Sequence, residues 1–270
     1  MTLTDDRAAL LLAHDEDLRT TSEVGGADRC ERLGPLWLAW FGDRGFVTYR
    51  DLGGAEGRVL DELIAAAVWR FAADPRIGQF EWKTRGHDLP GDLDVRLGAA
   101  GLVADDVETV MIGEAAGLAG DAVPVPGVVV RRAGETGELA ADVAAVGRLH
   151  REVFGPDSPN LDDRLLRELT ETPETAELWM AEEGASVVCA GRLTRIPGTR
   201  FAGLFGGATA ASARHRGIYR TLTSARAGSA LAMGAKLVYA ECTPFSRPIL
   251  ERSGLVAVTT TTPWRWRREV

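Results

Sequence analysis

The stretch Leu204-Phe-Gly-Gly-Ala-Thr-Ala-Ala-Ser-Ala-Arg-His-Arg-Gly-Ile-Tyr-Arg-Thr-Leu222 reads as a strand, a loop of small residues and the opening of a helix. The first N–H groups of a helix lack intrahelical partners and the helix dipole is positive at that end, so anions bind there. Gly217 lets a bulky ligand come close to the backbone. Arg214, Arg216 and Arg220 add donors suited to phosphate oxygens. Taken alone, Arg-x-x-Gly is weak, and a helix start bearing surface arginines accounts for it equally well.

The surrounding pattern gives the segment a context. Val128–Val130 reads as a strand, 138–154 and 162–170 as helices, and 178–182, 186–195 and 201–209 as three successive strands joined by the turns Glu182-Glu-Gly-Ala185 and Ile196-Pro-Gly-Thr199. A helix over 217–233, a strand over 236–241, a short helix over 247–252 and a last strand over 256–265 follow. In the first half, 44–50, 79–84 and 103–112 read as strands. Apolar residues at Leu60, Leu63, Ile64, Ala67, Val68 and Phe71 predict a helix over 59–73, and 93–100 is a short helix closed by Gly101. Both halves end in the same order of elements, and Gly98-Ala-Ala-Gly-Leu-Val103 echoes Glu251-Arg-Ser-Gly-Leu-Val256, which points to an internal duplication. The Gly/Ala/Pro-rich run 117–127 reads as the linker, dividing the chain into 1–120 and 121–270.

The loop and its setting resemble the pyrophosphate-binding signature of the GNAT superfamily of acetyl-CoA-dependent N-acetyltransferases, (Gln/Arg)-x-x-Gly-x-(Gly/Ala). Val238-Tyr-Ala-Glu-Cys-Thr-Pro-Phe-Ser-Arg-Pro-Ile-Leu-Glu-Arg-Ser-Gly-Leu255 is similar to the family's next strand and its short helix ending in Gly-Phe. The resemblance covers 127–270 and implies a mixed α/β fold: a twisted, mostly antiparallel central sheet flanked by helices. The first half resembles a second, degenerate copy without the Arg-x-x-Gly-x-Gly loop, covering or completing the acceptor pocket without binding cofactor. Carried onto this chain, the resemblance implies that the backbone of Gly207, Ala208 and Thr209 pairs with the pantetheine arm. It implies that His215, Arg216, Gly217, Ile218, Tyr219 and Arg220 hold the pyrophosphate, and that Thr243 and Ser246 lie near a hydroxyl contact to the cofactor. Tyr219 departs from the pattern, standing where Gly or Ala is usual.

Catalysis has fewer signals. Acetyl transfer to an amine needs a base for the amine proton, an acid for the leaving thiolate and donors aimed at the oxyanion. The family's base glutamate has no counterpart on the central strand, and its acid tyrosine is Leu250 here. Glu241, at the end of the following strand, is the candidate catalytic carboxylate, set against a purely structural role. Cys242 as a nucleophile is a minor alternative to a buried thiol. Trp37 and Trp40 are spaced for one helical face and read as core. His87-Asp88 reads as a turn before Pro90 rather than an acid–base pair, and Trp264 with Trp266 as packing on one strand face. The expected function is N-acetylation of a primary amine, small or peptidic, with acetyl-CoA as donor and no metal. The alternative is a catalytically silent acyl-CoA-binding or sensing protein with the same fold, and longer acyl donors stay open because the loop reads only the CoA end.

Composition limits the field. The chain has 270 residues, 45% hydrophobic and 26% charged, which excludes disorder and coiled coil. No apolar run reaches the length of a membrane helix, and the acidic start is unlike a secretory signal. Three scattered cysteines exclude a disulfide framework and fit a cytoplasmic setting. A net charge of -8 argues against a nucleic-acid partner, while the composition is compatible with oligomerisation. Residues 1–120 carry a net -10 and 121–270 a net +2, an asymmetry that points an anionic cofactor to the second half and loosely favours a cationic acceptor, while an acidic surface that keeps the first half soluble accounts for it equally well.

Overall fold

In the computed structural model, residues 3–120, 123–155 and 162–268 are described. The chain parts into two compact units. One gathers the residues through Val110 with 242–244 and those from Ala257 on; the other holds 111–241 and 245–256. The units therefore do not part at 120/121. The run expected to be a linker opens as a helix, Ala115–Ala119, with Leu118 buried and the Ala119 carbonyl accepting a 2.9 Å bond from Ser224 Oγ.

The first unit begins with helix α1 (Leu3–Asp17) and an antiparallel meander of β1 (Arg29–Leu33), β2 (Leu36–Phe41) and β3 (Arg44–Thr48). Helix α2 (Gly57–Ala72) crosses to β4 (Gln79–Arg85), which runs parallel to β3. Helix α3 (Leu93–Ala99), the short β5 (Val103–Ala104) and β6 (Glu108–Glu114) follow, and the last strand, β12 (Val256–Arg267), pairs antiparallel with β4 from Thr261 to Arg267. The core of this unit joins Leu38, Trp40, Val47, Leu60, Ile64, Phe71, Phe80 and Trp82. Trp37 and Trp40 thus lie on a strand, not a helix. The run Leu36-Trp-Leu-Ala-Trp-Phe41 is apolar throughout and has no period to read, so their spacing was uninformative. Trp264 and Trp266 pack on this core, Trp266 stacking on Phe80 at 5.5 Å.

The second unit repeats the order. Helix α4 (Ala115–Ala119) and β7 (Val128–Arg132) lead to α5 (Leu139–Phe154) and α6 (Asp162–Glu171). The antiparallel meander β8 (Ala176–Glu183), β9 (Ser186–Arg195), β10 (Phe201–Thr209) comes next, then α7 (Ile218–Ala232) crossing to a parallel β11 (Leu237–Cys242), and α8 (Arg247–Arg252). Its strands lie in the order β6-β11-β10-β9-β8-β7. The core fills both faces of the sheet: Val143, Val146, Leu149, Leu165 and Leu169 come from α5 and α6, and Ile218 and Leu222 from α7. In each unit a meander of three strands, a crossing helix and one parallel strand recur. No helix among the described residues is long and apolar enough to cross a membrane.

Candidate functional site

The site begins where two parallel strands stop pairing. β10 and β11 are in register only at 201–203 against 237–239. From Leu204 onward the β11-facing edge of β10 has no ladder partner there, and an unpaired edge offers N–H and C=O groups to an extended ligand. A bulge between Phe205 and Ala208 marks the same point, with Gly206 at φ 58°. A methyl on Gly206 would sit 3.4 Å from His150 Cε1 and 3.5 Å from Arg192 Nε, and its carbonyl lies 3.0 Å from His150 Nε2.

Beyond the strand, the chain turns through His215 at φ 61° and Gly217 at φ 84°, and Gly217 caps α7. That left-handed cap is the physical reason for a glycine at 217. The amides of Arg216, Gly217, Ile218 and Tyr219 donate to no described residue, so they form an open fan of donors at the positive end of a 15-residue helix. Space around Gly217 is open, with no atom of the described residues beyond its chain neighbours within 4 Å of where its Cβ would stand.

The predicted residues distribute as follows. Gly207, Ala208 and Thr209 end β10; Gly207 is exposed, Ala208 is buried, and the Thr209 hydroxyl meets Cys189 Sγ at 3.2 Å. The Thr209 carbonyl accepts from Arg214 Nε at 3.2 Å, which holds the loop against the strand end. His215 and Arg220 are exposed beside the amide fan, while the Ile218 side chain is buried. Arg216 differs from expectation in one respect. Its guanidinium is paired with both Glu183 oxygens, at 2.7 and 2.9 Å, so part of its charge is matched within the protein. That pairing raises the Arg216 pKa and lowers that of Glu183. Ser246 precedes α8; its carbonyl accepts from Ile249 and Leu250 N–H, and its hydroxyl bonds to no described residue. Leu250 is 1% exposed, a core side chain where the resembled family has an acid.

Tyr219 is accommodated by turning toward the sheet. A methyl on Gly207 would lie 2.9 Å from both Tyr219 Cε2 and Oη, so the ring rests where only glycine leaves room. The ring also lies by Arg226, whose guanidinium is 5.6 Å from the ring centre. Arg226 is fully buried, bonding the Arg192 carbonyl and Thr223 Oγ1, with Nε unpartnered. The Tyr219 side chain is therefore spent on this packing and not on the amide fan.

Glu241 lies two residues past the last β10–β11 pair. Strand alternation puts it on the face of Tyr239, whose ring meets Phe201 and Phe205 edge-on at 6.0 and 5.7 Å. The same face holds His150 and Phe154 of α5, Glu168 of α6, Arg192 of β9 and Phe205. Sequence reading missed all of these except Glu241. They come from five separate elements, and no local motif marks them. Among the described residues no group of three or more His, Cys, Asp or Glu side chains could hold a metal ion.

The corresponding splay in the first unit is filled. β3 and β4 pair at 44–47 against 79–82, and beyond that point the chain's own charges close the gap. Asp88 accepts from Tyr49 Oη at 2.6 Å, Arg85 N at 2.7 Å and Arg19 Nη2 at 3.0 Å. Glu23 accepts from Arg85 and from Thr48 Oγ1. Tyr49, Arg19 and Arg85 are all buried. Burial, with the Asp88 charge beside it, pushes the Tyr49 pKa well up. The turn at His87-Asp88 was expected; its anchoring role was not, and His87 also bridges Asp15 at 2.9 Å and Thr259 at 2.8 Å.

No protein-family model matches the chain, and no curated protein is similar to it. Solved structures are. A GCN5-related N-acetyltransferase from Kribbella flavida is 16% identical with a TM-score of 0.64, covering 97% of this chain and 94% of that one. A conserved protein of unknown function from Staphylococcus epidermidis ATCC 12228 is 9% identical with a TM-score of 0.69, covering 93% and 98%. A tandem GNAT protein from the clavulanic acid biosynthesis pathway is 14% identical with a TM-score of 0.57, covering 86% and 78%. Likeness at such identities is one of architecture, and it agrees with the meander, the crossing helix and the splayed parallel pair: the chain has the GNAT fold.

Proposed function

We propose that this protein is an acetyl-CoA-dependent N-acetyltransferase, an acyltransferase acting on the primary amine of a small molecule or peptide. The observation that carries the reading is the juxtaposition of an unpaired β10 edge with the undonated amides around Gly217. An edge of this kind suits the amide-bearing arm of the donor, through the backbone of Gly207, Ala208 and Thr209. The amide fan, with His215 and Arg220 beside it, suits a diphosphate, and Ser246 supplies a further hydroxyl from α8. The first unit serves the second without binding donor, because its own splay is occupied by Arg19, Tyr49, Arg85 and Asp88. Three cysteines, none of them in a disulfide, fit a reducing cytoplasm.

In the reaction the amine nitrogen attacks the thioester carbonyl, the C–S bond breaks and an amide forms. Glu241 takes the amine proton from its place past the strand pairing, and the departing thiolate takes a proton from water. Backbone N–H groups at the β10 bulge are the available donors for the oxyanion. The test is calorimetry with coenzyme A together with thiol release from acetyl-CoA over a broad amine panel. Binding and turnover support the reading, with Glu241→Gln lowering kcat and leaving coenzyme A affinity intact. Binding with no turnover on any amine would return the chain to a catalytically silent binder, consistent with Leu250 in place of an acid; no heat at all would remove the donor site.

A further inference from the structure

We infer that the face holding Arg192 is a carboxylate subsite, so that the amine acetylated by this protein carries a carboxylate within a few bonds of its nitrogen. The inference rests on the acyltransferase reading and specifies its acceptor. It runs opposite to the expectation from half-chain charge, because the groups that touch a substrate outweigh distant surface charges that salt screens.

Arg192 lies on β9 directly opposite Phe205, the last paired residue before the β10 bulge. Its guanidinium lies 5.8 Å from the Phe205 ring centre, and its Nε is 3.5 Å from where a methyl on Gly206 would stand. A guanidinium has five N–H donors in a planar fork that matches a carboxylate. Here a single carboxylate contact is made, Nη1 to Glu168 Oε2 at 3.5 Å, at the outer limit of a hydrogen bond. The other N–H groups of Arg192 donate to no described residue, and the side chain is 30% exposed.

Arg131 of the same unit shows what a satisfied fork looks like. It makes four contacts to Asp142 and Glu182 at 2.7 to 2.9 Å. Those partners raise the Arg131 pKa, whereas burial lowers that of Arg192 and the positive Arg164 adds to the effect. Glu168 is the one carboxylate the Arg192 guanidinium touches among the described residues, so the fork keeps donors for an added carboxylate in a partly desolvated place, where such a pair gains most. The geometry also limits size. Arg192 is one strand away from the bulge, a spacing of about 4.8 Å, so nitrogen and carboxylate must lie close together in the substrate.

The experiment compares matched trios with saturating acetyl-CoA: common α- and β-amino acids, their carboxamides and their decarboxylated amines, all read by thiol release. We expect kcat/KM for the best acid to exceed that of its carboxamide by about tenfold or more, the scale of one charge-assisted contact. In Arg192→Gln the acid-to-carboxamide ratio falls to about one, and Arg192→Lys, which cannot present the fork, restores little of it. A ratio that is unchanged in Arg192→Gln, or a native preference for carboxamides or diamines, overturns the inference while leaving the transferase reading intact. Should no amine turn over, calorimetric titration of the same acids and carboxamides into coenzyme A-saturated protein decides: acid-selective binding lost in Arg192→Gln supports the subsite, and its absence overturns it. Failure of coenzyme A itself to bind would instead strike the reading beneath.

Discussion

Replacing Gly217 by alanine separates folding from ligand binding, because the structure assigns a different cost to each. Gly217 stands at φ 84°, where an L-residue is disfavoured by about 1 to 2 kcal/mol. Among the described residues nothing beyond its chain neighbours lies within 4 Å of the added methyl, so no steric penalty joins that figure. A phosphate oxygen accepting from these amides would approach to about 2.9 Å, and the methyl points into the same open space. Losing one charge-assisted hydrogen bond costs about 1.5 to 3 kcal/mol, and 1.4 kcal/mol is a factor of ten. Gly217→Ala should therefore lower stability by about 1 kcal/mol in urea unfolding yet weaken coenzyme A binding roughly ten- to hundredfold by calorimetry. Gly57→Ala is the control, since Gly57 has φ 53° and equally open surroundings at the start of α2. It should cost similar stability and leave coenzyme A affinity unchanged. An unaltered affinity in Gly217→Ala, with the expected loss of stability, would refute the assignment of these amides to the diphosphate.

Two further outcomes follow from the packing and the ion pairs. Gly207→Ala should destabilise the second unit by roughly 1 to 3 kcal/mol, because its methyl would lie 2.9 Å from the Tyr219 ring. Adding Tyr219→Ala should return part of that loss in a double-mutant cycle, and strict additivity would show that the two positions do not touch. Asp142→Asn should cost about 2 kcal/mol at pH 7, since Asp142 accepts two bonds from Arg131 and one from Gly134 N–H. Those bonds hold its carboxyl below the usual carboxylate range, so its contribution is full above the unfolded-state pKa near 4 and is lost as pH falls through the lower folded value. Urea unfolding at pH 7 and pH 3 should accordingly show the deficit of the variant narrowing in acid.

What could be read along the chain was local. The strand–loop–helix around Gly217 is legible because a left-handed cap demands glycine and an amphipathic helix repeats every 3.6 residues. The hairpins 176–195 and 186–209 are legible because their turns are rich in Gly and Pro. Strand β2 was not, since six consecutive apolar residues carry no period. Tertiary structure alone decided which strands pair. β12 follows α8 in sequence but seven of its residues pair with β4, whose register no local preference specifies. Likewise His150, Glu168, Arg192, Phe205 and Tyr239 become one face only when α5, α6, β9, β10 and β11 have packed, and it was packing that filled the first splay with Arg19 and Tyr49 while leaving the second open. Backbone propensity reaches a few residues along the chain, whereas burial, charge pairing and strand pairing act between segments from about twenty to nearly two hundred residues apart; the local elements were accordingly written in the first, and the strand pairing and the candidate acceptor face in the second.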